Sequence, residues 1–368
     1  MQSNFSKKYL INLDDKLQTL VEYFVAFFGE ENREYIEKMI NSTPIIFTGD
    51  TEAWHSTLEV INEEHKKRGL IRKESLEGLK YVESLDEFLD CYQLREKELE
   101  YITPYLDNYY TGDARNYFAI VSSYQSRYSG ACIYDVISDF SEVKAFVHIP
   151  LSWRRLIDDE IVIHELLHTI SIRIKSILDD TFVYCSGFKT NSKFKGVTGE
   201  WFKTPEQKRE HAVLECFNET VTEYFTNQIA RQMKKDGVFI VNDESSESIY
   251  DTRVNVMSYL FEKLEPQLRQ AYITGDIEWL KEVLGDDYDT VLEFNSKLAE
   301  FYYAYANTIS CAIREVEGIN SERDVIENAH LLPQEDDLYY RKPYGEFRKI
   351  KQIADRLEEK LKNQNDKK

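Results

Sequence analysis

His164, Glu165 and His168 stand in the order His-Glu-Leu-Leu-His. On a helix, residues four apart lie on one face a turn apart, so the two imidazoles point the same way. At that spacing two histidines can grip one zinc ion while the intervening glutamate reaches a water on the same metal. Only seven histidines occur in 368 residues, which makes an accidental pair at this spacing uncommon. The competing reading is a buried amphipathic helix whose two histidines fall one turn apart by chance. The frame is apolar: Ile161-Val162-Ile163 precede the pair, Leu166-Leu167 lie inside it and Thr169-Ile170 follow. Such a frame calls for burial in a core.

Two imidazoles do not complete a catalytic zinc site, which takes three protein ligands and a water. The pattern H-E-x-x-H-x-x-G-x-x-H fails here, because Ser171 holds the glycine position and Ile174 the third histidine position. A carboxylate from a later helix is the other route. Glu215, Glu219 and Glu223 follow one another at four-residue steps and share a face. Carboxylates stacked in this way repel one another, and a cation with imidazole N–H groups against them relieves the repulsion. Glu219 is the expected third ligand. Glu223, one turn on, is expected to accept the free N–H of His164 and fix its tautomer. Asn218 is expected to support a helix-to-helix contact, and Glu215 to face either the outer shell or solvent. His211, a turn earlier on the stripe, is the weaker ligand alternative. A solvated acidic face is the competing reading; Val213, Phe217, Val221 and Phe225 argue against it, because they demand burial.

His164-Glu165-x-x-His168 followed by Asn218-Glu219-x-x-x-Glu223 resembles the gluzincin metallopeptidases, whose pattern is H-E-x-x-H and then N-E-x-x-x-D. It is similar in more detail to a group of uncharacterised bacterial gluzincin-like proteins. Their second helix reads N-E-G-x-T-E-Y-x-T, and a downstream segment reads A-Y-x-x-G-D-x-x-x-L, present here from Ala271 to Leu280. The resemblance covers roughly residues 115–290. It implies a zincin-type core and a zinc peptidase, with His164, His168 and Glu219 as ligands and Glu165 as general base. The chain departs from the pattern in three places. Thr220 stands where that group often has glycine, Glu223 is longer than the aspartate, and the stretch 169–217 is longer than in the best-known gluzincin. The front third matches nothing in the family.

Composition narrows the partners. With 42% hydrophobic and 30% charged residues the chain suits a globular protein with a sizeable core. A net charge of −20 makes nucleic acid a poor partner and a neutral or basic peptide or protein the better-tolerated substrate. The first residues carry no apolar run behind Lys7-Lys8, so no secretory signal is read. The densest apolar stretch, Tyr23 to Phe28, is far short of the roughly 20 residues of a membrane span. Cys91, Cys132, Cys185, Cys216 and Cys311 form no C-x-x-C pair, as expected of reduced thiols in a cytoplasmic protein.

The elements that must position these residues follow from periodicity. Helix is expected over 9–41 with a stop at Gly29, a short strand over 44–49, a helix from Thr51 to Gly69, and charged helical sequence to about Leu106. Strands are expected at 117–121, 131–136 and 144–149, the last ended by Pro150 and offering an edge for an added peptide strand. The His-Glu-Leu-Leu-His helix is expected to run to about Leu178, with a strand at 181–185 and a polar loop from Gly187 to about Thr204. A strong helix is expected over 209–235, ended by Gly237, and several helices between Tyr250 and Gly318. Residues 341–368 carry ten Lys/Arg against five acids and read as a solvated helix with a frayed end, or an arm for an acidic partner or membrane surface. The expected class is α+β and mostly helical, a small mixed sheet plus an active-site helix flanked by helical parts. The expected organisation is a helical accessory domain (1–112), a zincin core (113–237), a helical subdomain (238–340) and a basic tail (341–368).

The expected function is zinc-dependent peptide hydrolysis by an activated water, with Glu165 as general base and Tyr224, Tyr250, Arg253 or His211 as oxyanion donor. The alternatives are a non-catalytic gluzincin-fold zinc-binding or protein-interaction module, and a zinc hydrolase of non-peptide amides.

Overall fold

The computed structural model describes residues 8–11, 14–43, 45–48, 79–82, 131–136, 143–150, 159–178, 181–194, 205–238, 251–301 and 349–359. Most of these residues are helical, and the strands form two sheets, which makes the architecture α+β. The helix expected over 51–69, the strand at 117–121, the loop from 196 to 204 and the ends of the tail lie outside the described residues. The chain divides into two compact units. One comprises Met1–Tyr184, Ser192–Gly199 and Thr226–Ser245, the other Cys185–Asn191, Glu200–Phe225 and Ser246–Lys368.

In the first unit a mixed sheet is built from β1 (Lys8–Ile11), β2 (Ile45–Thr48), β3 (Leu79–Val82), β4 (Ala131–Val136) and β5 (Val143–Pro150). Its order is β3-β1-β2-β5-β4. β2 runs parallel to β5, with Ile45 opposite Val147. β4 runs antiparallel to β5, from Ala131 opposite His148 to Val136 opposite Val143. Val143, Ala145, Val147 and Ile149 are all buried, the period-two pattern of a strand with one face in the core. β5 is therefore internal, and β4, not β5, is the edge nearest the helix that follows. α1 (Asp14–Phe28), α2 (Arg33–Asn41) and α3 (Asp159–Ile170) supply the helical layer, and α3 packs against α2, β4 and β5. The front third is thus not helical throughout. Residues 9–11, whose apolar spacing continues that of the next helix, form a strand, and the helix begins only at Asp14, where Asp14-Asp15 suit the positive end of its dipole. Gly29, at φ 100°, follows the end of α1.

α3 stops at Ile170, eight residues short of the expected end. Thr169 donates to the Glu165 carbonyl (3.2 Å) and Ser171 to the His168 carbonyl (2.9 Å). Such hydroxyls compete for the carbonyls that would continue the helix. Beyond them lies β6 (Ile172–Leu178), followed by β7 (Thr181–Ser186) and β8 (Lys189–Phe194), which form a second sheet in that order. β8 replaces part of the expected polar loop. Its sequence, Lys-Thr-Asn-Ser-Lys-Phe, shows no apolar alternation, and the informative residue is Gly187 instead. Gly187 stands at φ 56° in a two-residue turn, which a tight hairpin requires.

In the second unit the first part of α4 (Pro205–Lys235) is joined by α5 (Asp251–Leu264), α6 (Gln267–Thr274), α7 (Ile277–Leu284), α8 (Tyr288–Phe301) and a helix at 349–359, α9. An aromatic cluster fills it. The Phe217 ring lies 5.8 Å from Phe188 and 5.6 Å from Phe261, and the Tyr272 ring 5.3 Å from Phe225 and 6.0 Å from Phe188. The remainder of α4 belongs to the first unit. It ends as expected at Gly237 (φ 78°), with Val238 N–H donating to the Met233 carbonyl at 2.9 Å, a Schellman closure. The basic tail is docked helix in part. Ile350, Ile353, Ala354 and Leu357 are buried at helical spacing. Lys263 meets Glu358 at 2.7 Å and Arg356 meets Asp287 at 2.6 Å.

Gly275 caps α6 in the left-handed conformation (φ 63°), and a Cβ there would lie 2.2 Å from Cys185 Sγ and 2.9 Å from the Gly187 carbonyl oxygen. Gly275→Ala is therefore expected to cost about 2–4 kcal/mol, from a strained backbone plus overpacking. The measurement is the fall in unfolding free energy by denaturant titration.

Candidate metal centre

α3 carries the histidine pair because its ten most buried positions leave no solvent face. Val162 to Ile170 are buried without a break. His164 is 6% exposed, and Glu165 and His168 are each 7% exposed. The two Nε2 atoms stand 3.2 Å apart, with the rings edge to face. A ligand atom from each of His164, His168 and Glu219 lies within 4.8 Å of the others. Tetrahedral zinc with bonds near 2.1 Å separates its donors by about 3.4 Å. The imidazole pair already has that spacing. Two nitrogens and one oxygen form the donor set of a catalytic zinc with a position left open. The residues fit the ion.

The acidic stripe divides by burial. Glu215 is partly exposed and forms an ion pair with Lys189, which assigns it to the solvent side. Glu219 is half-buried, and Glu223 is buried at 7% exposure. Asn218 holds a turn of the second sheet against α4. It is fully buried, and its Oδ1 accepts the N–H of Phe188 at 2.8 Å, tying the β7–β8 turn to α4. Thr220, in place of glycine, donates to the Cys216 carbonyl at 3.0 Å, so its buried hydroxyl is satisfied.

The oxyanion candidates separate as well. Tyr224 packs on Phe261 at 5.1 Å. Burial and a hydrogen bond with Glu265 push its phenol far above the usual tyrosine range. Its hydroxyl is committed to the helical core. Arg253 is 5% exposed and donates from Nη1 to Cys216 Sγ at 3.0 Å, one turn of α4 before Glu219. Burial pushes the Cys216 thiol up, and the Arg253 guanidinium acts against that rise. Tyr250 lies outside the described residues, and of His211 only its place on α4 is described.

Sequence reasoning missed Tyr272, whose hydroxyl lies 2.8 Å from Thr222 Oγ1, and the Gly187-Phe188 turn. The signal lay in the Ala-Tyr-x-x-Gly-Asp segment, which spacing alone gives no chemical role. Each of its residues has one in the fold. Ala271 and Leu280 are buried, Gly275 caps α6, and Asp276 caps α7 by accepting the Trp279 N–H at 3.0 Å.

Two buried histidines one turn apart and a carboxylate from a distant helix define a candidate His-His-Glu metal centre. Compared with protein families, curated proteins and solved structures, the chain matches none of them.

Proposed function

We propose that the protein is a zinc-dependent peptidase with a gluzincin-like site on a zincin-type core. The observation that carries this reading is the convergence of His164, His168 and Glu219, donors 51 positions apart at the closest across the two helices, to within 4.8 Å of one another. His164, His168 and Glu219 hold the metal. When bound there, zinc would supply an acidified water, with a pKa of about 7, and a polarised carbonyl. Glu165, adjoining His164 on the buried helix, takes the proton of the attacking water and delivers it to the leaving nitrogen. Glu223 accepts the N–H of His164 and fixes its tautomer. Arg253, buried beside α4 one turn before Glu219, is the donor proposed for the developing oxyanion, with Tyr250 and His211 as the alternatives. The substrate peptide adds as a strand along β4, the sheet edge beside α3. Among the described residues no helix is long and apolar enough to cross a membrane. Cys132, Cys185 and Cys216 are thiols, which supports placing the chain in the reducing cytoplasm.

The test is metal analysis of the purified chain with a peptide-library cleavage screen. The expected result is one zinc per chain and cleavage that a chelator abolishes. A chain that neither carries nor takes up zinc overturns the reading. Stoichiometric zinc without cleavage of any peptide replaces it with a non-catalytic zinc-binding module.

A further inference from the structure

Glu219 ligates a metal only if α4 holds one rotation about its axis. A carboxylate about 6 Å from a helix axis moves about 1 Å for a 10° turn, several times the roughly 0.2 Å tolerance of a ligand distance. Two buried side chains beside Glu219 are gripped from outside α4. Asn218, immediately before it, accepts the Phe188 N–H at 2.8 Å. Thr222, three residues beyond, donates to the Asn218 carbonyl at 2.8 Å. With its one proton spent there, Thr222 Oγ1 is the acceptor for the Tyr272 hydroxyl, also at 2.8 Å. The two grips meet at one place. A Cβ on Gly187 would lie 2.2 Å from Asn218 Oδ1 and 2.6 Å from the Tyr272 ring. A Cβ on Gly275 would strike Cys185 and the Gly187 carbonyl. Turn, α6 terminus and α4 flank are thus locked together by two glycines that admit no side chain.

We infer that Tyr272, acting through Thr222, is a positioning residue for Glu219, and that the end of α6 from Tyr272 to Gly275, seated on the Gly187-Phe188 turn, is the clamp that sets the rotation of the ligand helix. The inference rests on the zinc reading above. It gives the tyrosine hydroxyl a purpose that packing alone does not, since a phenylalanine would fill the same aromatic cluster.

The experiment is a zinc titration of the full chain against a chromophoric chelator. In Tyr272→Phe, Thr222 keeps its bond to the Asn218 carbonyl and the ring keeps its place in the aromatic cluster, so the fold is expected to be retained. Zinc affinity is expected to fall about tenfold, the lower end of outer-shell effects, with Tm near that of the unaltered chain. Thr222→Val is expected to lose a similar factor, and the double variant little more than either single one. Asp276→Ala removes the cap of the neighbouring helix α7, outside the clamp. It is expected to lower Tm while leaving zinc affinity unchanged, which separates lost stability from lost aim. If Tyr272→Phe binds zinc as tightly as the unaltered chain, or if Asp276→Ala loses as much affinity, the clamp is overturned and the zinc site stands. If the unaltered chain takes no zinc, both fall.

Discussion

Glu165→Gln is expected to lower peptide hydrolysis by about 10²–10⁴-fold while leaving one zinc per chain. The carboxylate is 7% exposed on a helix buried over its last nine residues. Glutamine matches it in size and leaves no cavity. What changes is proton transfer, since an amide neither takes the proton from water nor returns it to the leaving nitrogen. The histidines are untouched, so metal content measured by mass spectrometry or atomic absorption stays at one. Activity that survives the exchange would remove Glu165 from the mechanism. Zinc lost along with activity would make the residue structural instead.

Glu219→Ala is expected to abolish stoichiometric zinc after dialysis. Loss of an outer-shell partner costs roughly 10–100-fold in metal affinity, and loss of one of three ligands exceeds that. The contrast is Glu215→Ala, one turn away on the same stripe. Glu215 pairs with Lys189 and is partly exposed, so its removal leaves zinc affinity unchanged and alters only a surface ion pair of small worth. Equal losses from both variants would mean that the stripe acts as a diffuse acidic field rather than through one ligand.

The centre was legible because its chemistry is local in sequence. Two histidines four apart need only a helix to converge, and the stripe from Glu215 to Glu223 needs only a second helix. Sequence alone points to Glu219 among the glutamates, and the structure brings it together with the histidines. The helices from 251 onward were read correctly because their apolar positions recur at helical period and Gly275 and Gly285 end two of them. The errors have a shared physical origin. β1 and β3 are four residues each, too short for alternation to show, and β1 borrows its period from the helix after it. The helical pattern runs past the end of α3 because Ile170, Ile174 and Leu178 recur at four-residue steps, while Ile172, Ile174 and Leu178 also fit the strand alternation, and Thr169 and Ser171 mark the break. The bonds of Asn218 to the Phe188 N–H and of Tyr272 to Thr222 are not legible in sequence, because tertiary contacts set those partners.

The parallel pairing of β2 with β5 matters for how the chain is made. Ile45 must wait for Val147, so about a hundred residues leave the ribosome before the sheet can close. During synthesis β2 presents bare backbone groups on the side that β5 will occupy, and such edges recruit other chains. Pairings this far apart in sequence also form slowly. The His-Glu-Leu-Leu-His helix emerges just after β5, so the first support for the histidine pair assembles late, and chaperone demand during expression should concentrate before that point.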